Sequence, residues 1–249
     1  MFRLTKLKPP NGWRAVAWEL AIVTLGVLLA LIAQQWAEHR TTARKLEATK
    51  AALRDELAEH YTYAIEFRTV YPCVLAQLHR IRDHVLSSGP VMEPVPIYGE
   101  QNFHFVVRFP SKENPTPVWD AAVSEGLMYR FDASFRRQLA GHFSLIGTID
   151  RLVSANDEAA YGLATLTHRL PLDSTTRYNI VKDIEHLIGR FETLDLNYGQ
   201  EIENIQNVGM VPPPDEARAL TERYGTYQFC KAQGLPMRLY EEAMQAVPN

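Results

Sequence analysis

The sequence lacks a surplus of basic residues, and it lacks the short motifs that fix a chemical activity. Its 26 Lys and Arg face 29 Asp and Glu, for a formal net charge of −3, so we expect no nucleic-acid partner. It contains no phosphate-binding Gly-x-x-x-x-Gly-Lys loop, no nucleophile elbow and no Cys-x-x-Cys pair. We therefore expect a protein that is not an enzyme, and the sequence indicates no catalytic or cofactor-binding residue and no cofactor.

Cysteine is also scarce, since the chain has only Cys73 and Cys230. In an oxidising compartment this even pair is consistent with one disulfide that ties the C-terminal region to the second predicted helix. Two buried thiols are the alternative. The sequence alone leaves both open.

Eight histidines are present, but their spacing is not that of a metal site. Glu56 and His60 form an i,i+4 pair, and Asp183 and His186 form an i,i+3 pair. Neither is the Glu-x-x-His that di-iron helical bundles use, so we place both pairs on solvated faces and predict no metal site. His142 adjoins an apolar helix face, which favours a core or boundary position over a ligand role.

What the sequence does contain is one long uncharged run. Residues 20–36 hold no charged side chain, and the run extends back to residue 15 with Glu19 as its one interruption. About 20 helical residues cross the ~30 Å hydrocarbon core of a bilayer. Trp18 and Trp36 lie about 27 Å apart at the helical rise, so both rings can rest at the membrane interfaces.

We predict a transmembrane anchor over residues 15–36, with Arg14 and Arg40 joining Trp18 and Trp36 at the interfaces. A core helix of a soluble domain rarely stays uncharged for so long. A cleaved signal peptide needs small residues at two fixed positions before the cleavage point, and no Ala-x-Ala site follows the run. An uncleaved anchor therefore remains the favoured interpretation.

Charge is unevenly placed on the two sides of this run. Residues 1–14 carry four basic side chains and no acidic one, and the remaining chain has 22 basic residues against all 29 acidic ones. A short +4 tail resists translocation, whereas long domains cross largely regardless of their charge. We therefore expect residues 1–14 to be a cytoplasmic tail and residues 37–249 to form a periplasmic domain at a bacterial inner membrane.

Beyond the anchor, residues 37–71 contain no Pro or Gly, and they hold an apolar stripe at helical spacing. The stripe packs either against other helices of its own chain, which we favour, or against a second copy in a homodimer through residues 40–71. Pro72 predicts a break or kink. A second helix is expected over residues 73–88.

Residues 89–117 form the longest predicted loop and hold six of the fifteen prolines. Residues 103–109 have strand-like composition, so at most a short β ribbon is expected near residues 97–109. Loops of this length are often functional. The aromatic residues of this loop and of the first helix form the predicted partner surface, namely Phe103, Phe105, Phe109, Tyr61 and Tyr63.

Capping residues and prolines delimit the remaining helices. Thr116 precedes a proline at the first helical position, and Asp132 and Asp173 are N-caps for two long helices. The fold class is therefore mostly α, with one N-terminal transmembrane helix followed by an antiparallel helical bundle. The helices are predicted over residues 117–125, 133–169, 174–210, 215–223 and 236–247.

Residues 26–36, Gly-Val-Leu-Leu-Ala-Leu-Ile-Ala-Gln-Gln-Trp, with the charged Glu-His-Arg at 38–40, resemble the anchor of a family of uncharacterised bacterial single-pass membrane proteins. Residues 118–127 and 135–143 resemble a second stretch of that family, a small helix with Ser-x-Gly followed by Leu-Arg-x-x-Leu-x-x-Tyr-Tyr. This chain has two glutamines before the Trp where the family often has asparagines. The resemblance implies the same architecture, and it transfers no functional residue.

Together these observations predict a membrane-anchored helical protein that acts by binding. Its expected partners are the lipid bilayer and other membrane proteins, for which it would serve as an accessory or scaffolding subunit. An extracytoplasmic domain that senses or binds a small ligand is the alternative. A membrane-tethered enzyme of unrecognised type is the third possibility.

Overall fold

The computed structural model describes residues 12–100 and 103–245, and it is mostly α-helical. Helix α1 precedes two short strands that form a hairpin, and six further α-helices follow. In order, the elements are α1 (Gly12–Ser87), β1 (Val91–Met92), β2 (Tyr98–Glu100), β3 (Phe103–Phe105), α2 (Pro117–Ser124), α3 (Ala133–Gly162), β4 (Leu170–Pro171), α4 (Ser174–Val208), α5 (Pro214–Thr221), α6 (Gly225–Ala232) and α7 (Tyr240–Ala243). The prediction of a mostly α fold with a long N-terminal helix and little β structure is confirmed.

The chain divides into two units, Met1–Lys50 and Ala51–Asn249. In the first unit, α1 contains a segment that is long and apolar enough to cross a membrane, and no residue of that segment is buried. The second unit, called the body below, contains the apolar core. Most of the predicted stripe of α1 belongs to that core, because Leu53, Leu57 and Phe67 are fully buried.

Pro72 lies inside α1 and does not end it, so the prediction of two separate helices over residues 37–71 and 73–88 was wrong. A proline removes one backbone donor and crowds the preceding turn. Here the flanking Val70, Cys73 and Val74 are all fully buried. Because residues on both sides of Pro72 pack into one core, their burial outweighs the local cost and the helix continues.

Ion pairs between helices show the relative directions of the helices in the body. Arg82 contacts Glu185 at 3.1 Å and Arg68 contacts Asp195 at 3.5 Å, so α4 runs antiparallel to α1. The start of α3 lies beside the end of α4, since His142 and Glu201 approach each other in the core. Helices α3 and α4 are therefore antiparallel to each other, and α3 is parallel to α1.

Parallel helices need a connection that returns along the first one, and this is why the segment between α1 and α2 is long. The segment passes down α1 in reverse order, held by a row of polar side chains that we call the polar stripe (Glu56, His60, Glu66, Gln77 and His84). His84 contacts the carbonyl of Glu93 at 2.8 Å. Gln77 donates to the carbonyl of Arg108 at 2.9 Å and accepts from its N–H at 2.8 Å.

Further along the same segment, Lys112 donates to Glu66 at 2.5 Å and His60 contacts the carbonyl of Pro115 at 2.7 Å. Glu56 accepts from the backbone N–H groups of Val118 and Trp119 at 2.8 and 3.2 Å. Glu56 therefore supplies the N-terminal cap of α2 that Thr116 does not make. The polar stripe satisfies backbone groups that would otherwise be buried without partners.

The segment between α1 and α2 contributes strands to two antiparallel pairs. Strands β2 and β3 form the hairpin expected near residues 97–109. Strands β1 and β4 form a second pair that the sequence analysis did not predict. A two-residue pairing between distant segments has no periodicity that a sequence could show.

The helix boundaries agree with the capping residues in most places. Asp132 accepts from the N–H groups of Ser134 and Phe135, and Asp173 accepts from that of Thr176. The C-terminal region differs, because α6 was not predicted and the last helix is confined to Tyr240–Ala243 within the described residues. Arg238 instead forms two hydrogen bonds with Asp195 at 2.7 and 3.1 Å, which holds the chain before α7 in an extended path.

Candidate functional site

A pocket of about 300 Å³ lies between the predicted functional loop and the end of α3, and we call it the loop pocket. Its apolar lining includes Ile97 and Phe105 from the hairpin region and Ala160 and Ala164 from the opposite side. Its polar lining includes Arg108, Ser111, Asp157 and Thr167. An apolar concavity with a few polar groups is the usual form of a binding site.

The hairpin wall of the loop pocket is held by aromatic packing. The ring of Phe105 lies 5.7 Å from that of Phe229 on α6 and 6.1 Å from that of Tyr98. The guanidinium carbon of Arg108 lies 5.2 Å from the centre of the Phe105 ring. On the other side, the Ser111 hydroxyl donates to Asp157. Side-chain contacts therefore hold the lining residues on both sides of the pocket.

A disulfide between Cys73 and Cys230 supports the same wall. It joins α1 to α6, with the two Cα atoms 6.0 Å apart and both residues fully buried. Cys230 follows Phe229, which packs on the hairpin. The sequence left open whether the two cysteines form a disulfide or remain buried thiols, and the structure contains the disulfide.

The five aromatic residues of the predicted partner surface do not form one surface. Tyr61 is 2% exposed and faces the helical core, so its assignment to a partner surface was wrong. Phe109 is also buried, at 7% exposure, but it lines the loop pocket. Tyr63 is half-buried, donates to Glu59 and packs edge-on against Tyr224. Phe105 lines the loop pocket, and the side chain of Phe103 lies outside the described part of the structure.

The residues assigned to the membrane interface are exposed in the first unit. Trp18 and Trp36 are 69% and 63% exposed, and Arg14 and Arg40 are also exposed. The guanidinium carbon of Arg40 lies 5.2 Å from the centre of the Trp36 ring. This arrangement is compatible with a headgroup-level pair of an aromatic and a basic side chain. Their place at a membrane interface stays a prediction.

A second group of interest lies in the core, where His60, His142 and Glu201 meet from α1, α3 and α4; we call it the buried cluster. All three residues are fully buried. His60 Nδ1 and His142 Nε2 are 3.0 Å apart. His60 Nε2 contacts the carbonyl of Pro115, so this nitrogen carries the proton and Nδ1 presents a lone pair.

Several polar atoms of the buried cluster have no hydrogen-bond partner within the described residues. They are His142 Nδ1 and both carboxyl oxygens of Glu201. Burial lowers the pKa of His60 to about 4. Burial is also the larger cause, and the neighbouring His60 the smaller one, that lowers the pKa of His142 to about 3. Burial, with a smaller effect of Asp150, raises the pKa of Glu201 well above its usual range. Burial therefore favours the uncharged form of each of the three side chains.

The sequence analysis did not find the buried cluster. Its members come from three helices, and no local spacing relates them. The prediction that Glu56 and His60 lie on a solvated face was wrong, since both are buried and both bind the backbone of residues 115–119. Asp183 and His186 are exposed, as predicted. The one signal for burial was that Glu56, His60 and Gln77 share the apolar side of α1.

Comparison with known protein families, with curated proteins and with solved structures finds no match for this chain.

Proposed function

We propose that this chain is a single-pass membrane protein whose body lies outside the cytoplasm and acts, without catalysing a reaction, as a binding or accessory subunit of a membrane complex. The observation that carries the proposal is the apolar segment of α1 that nothing in the described chain covers. Its large side chains are 49–66% exposed from Leu20 to Ile32. A helix that is apolar on every side needs lipid or protein around it.

The interior of this segment is also compatible with a bilayer. Thr24 donates its hydroxyl proton to the carbonyl of Leu20 at 2.7 Å, so the hydroxyl group of Thr24 has a hydrogen-bond partner within the helix. Gln34 donates to Glu38 at 2.7 Å near the other end. These contacts lower the cost of placing residues 20–36 in lipid.

The disulfide and the basic tail favour an extracytoplasmic body. Disulfides persist in oxidising compartments such as the bacterial periplasm and are rare in the cytosol. The +4 charge of residues 1–14 favours retention of that end on the cytoplasmic side of an inner membrane. Both features support the same orientation independently of each other.

A reporter that is active only in the periplasm, fused after residue 249, tests the orientation. We expect activity from the fusion to the full chain. As a control, the same reporter fused to a chain whose four basic residues in 1–14 are replaced by Gln should lose part of that activity. A stably expressed but silent fusion to the unchanged chain would place the body in the cytoplasm.

The loop pocket is the proposed contact site for a partner subunit. Gentle detergent extraction of the full chain followed by native electrophoresis should show a large co-migrating species. Ala164 is exposed and lines the pocket, so Ala164→Leu should fill it and reduce that species. Thr165→Leu adds similar apolar bulk at the exposed neighbouring position outside the lining and should leave the species intact. A lone monomer from the unchanged chain would contradict the subunit role.

The dimensions of the loop pocket also favour the second candidate function, binding of a small ligand. A volume of about 300 Å³ matches the lower end of small-molecule sites. Arg108 and Asp157 could orient a polar group, and Phe105 could cover an apolar one. A thermal-shift screen of the full chain in detergent tests this function. A metabolite that raises the unfolding midpoint of the unchanged chain, but not of Ala164→Leu, would support it.

A further inference from the structure

We propose that His60, His142 and Glu201 bind one divalent transition-metal ion in the core of the body, with Zn²⁺ as the best fit. The buried cluster offers one ligand atom from each residue, and these three atoms all lie within 4.8 Å of one another. The site lies in the helical core and does not depend on what occupies the loop pocket or on membrane orientation.

The spacing of the donor atoms suits a single ion. Two nitrogen ligands at about 2.1 Å from tetrahedral zinc are about 3.4 Å apart. His60 Nδ1 and His142 Nε2 are separated by 3.0 Å, so a small outward shift of both rings would admit the ion. Glu201 closes the third side of the site, since its carboxyl oxygen lies within 4.8 Å of the histidine nitrogens.

The surroundings of His60 are those of a metal ligand. Its Nε2–H donates to the carbonyl of Pro115 at 2.7 Å. Metal-binding histidines almost always donate their other ring N–H to a carbonyl or carboxylate, which fixes the tautomer and the ring orientation. The lone pair of His60 Nδ1 therefore points into the cluster, where a proton of His142 Nε2 occupies it in the ion-free protein.

The unpaired carboxyl group of Glu201 is an independent sign of a ligand-binding site at the buried cluster. Its carboxyl group is fully buried, and neither oxygen has a hydrogen-bond partner within the described residues. Such a group needs a specific explanation, since nearly all buried polar atoms are paired. An ion between Glu201 and the two imidazoles supplies a partner for the unpaired carboxyl group, and it replaces the contact between His60 Nδ1 and His142 Nε2.

The donor set selects the class of ion. Two imidazoles and one carboxylate suit zinc and the neighbouring first-row ions, whereas Ca²⁺ and Mg²⁺ prefer oxygen ligands alone. When the ion binds, the proton of His142 moves from Nε2 to Nδ1 and Glu201 releases its proton to solvent. Three protein ligands would replace bound waters on the ion, and one water would remain as the fourth ligand.

Metal content of the full chain, purified in detergent, tests the site. The protein is treated with a chelator, incubated with one equivalent of Zn²⁺, desalted and analysed by mass spectrometry of the elements. We expect about one zinc per chain and an unfolding midpoint that rises with zinc concentration. Co²⁺ should give the visible absorption bands of a four-coordinate site. No retained zinc in the unchanged chain would overturn the proposal.

Two variants locate the ion. Glu201→Gln and His142→Asn should each weaken zinc binding by about 100-fold or more, since even changes in the surroundings of a ligand cost about 10–100-fold. The matched control is Asp183→Asn combined with His186→Gln, because that pair is exposed on the same helix as Glu201. The control should keep one zinc per chain. Equal binding by the unchanged chain and both core variants would overturn the proposal.

Folding is checked separately, so that loss of structure is not mistaken for loss of a ligand. Glu201→Gln removes a buried carboxyl group, and its helical circular dichroism without zinc should equal that of the unchanged chain. If this variant does not fold, Glu201→Asp replaces it, because it keeps the acid on a shorter side chain. Its midpoint should rise less with zinc than that of the unchanged chain, and an equal rise would contradict a role for Glu201.

Discussion

Two stretches of α1 show opposite relations between side chain and surroundings. In residues 20–36 most side chains are apolar, and those of Leu25 and Leu28 are more than half exposed. In the body, the same helix buries polar side chains such as Glu56, His60 and Gln77 to 6% exposure or less. The same helix thus exposes apolar side chains in one stretch and, in the other, buries several polar side chains beside its apolar ones.

The difference shows what each stretch packs against. Glu56, His60 and Gln77 face a segment with few regular hydrogen bonds of its own, and each of the three satisfies a backbone group of that segment. The apolar residues of the other stretch face nothing in the described chain, so we infer that lipid surrounds them. Changes of the same chemical type in the two stretches should therefore have different effects.

The largest effect is expected from the disulfide, which joins the body stretch of α1 to α6. Cys73→Ala combined with Cys230→Ala should lower the free energy of unfolding of the body by about 5 kcal/mol, because the bond closes a loop of 157 residues. Urea denaturation of the full chain in detergent, followed by circular dichroism, measures it. Membrane integration should be unchanged, and equal stability of the two proteins would show that the bond does not stabilise the body.

Truncation of one leucine in each stretch compares their packing directly. Leu57→Ala should destabilise the body by about 2–5 kcal/mol, because this side chain is fully buried. Leu28→Ala should leave the urea midpoint of the body unchanged, since Leu28 is 51% exposed and lies in the other unit. A comparable loss from both variants would mean that the apolar segment packs against the body.

A charge in the apolar segment should act on insertion and not on folding. Leu28→Arg should disfavour membrane integration by about 3 kcal/mol, measured as the fraction of chain that resists extraction with alkali. Glu47→Arg, at an exposed position beyond Trp36, is the control and should integrate normally. Full integration of Leu28→Arg would contradict a spanning role for residues 20–36.

The smallest effect is expected from two glutamines on α1. Gln77→Ala should cost about 1–3 kcal/mol of body stability, because it leaves the N–H and carbonyl of Arg108 without this partner. Gln34→Ala removes only an exposed contact with Glu38 and should leave the unfolding midpoint unchanged. If Gln77→Ala has no effect on the midpoint, the polar stripe does not hold the loop in place.

Much of the fold follows from local signals. The apolar run, the stripe through Leu53 and Leu57, and the caps at Asp132 and Asp173 each depend on neighbours within a few residues. The candidate sites do not. The loop pocket needs the hairpin, α3 and α6 in place, and no spacing in the sequence relates His60 to His142 or Glu201. The sequence analysis therefore predicted the long loop that lines the loop pocket but missed the buried cluster.

The sequence by itself determined that the chain is mostly helical and that residues 20–36 are apolar enough to cross a membrane, because both properties arise from side chains close together along the chain. Only the tertiary structure decided that α1 continues through Pro72, that Glu56 and His60 are buried, and that Cys73 meets Cys230. Each of these depends on partners that lie far apart in sequence, and burial against such partners outweighs the local preference of the residue.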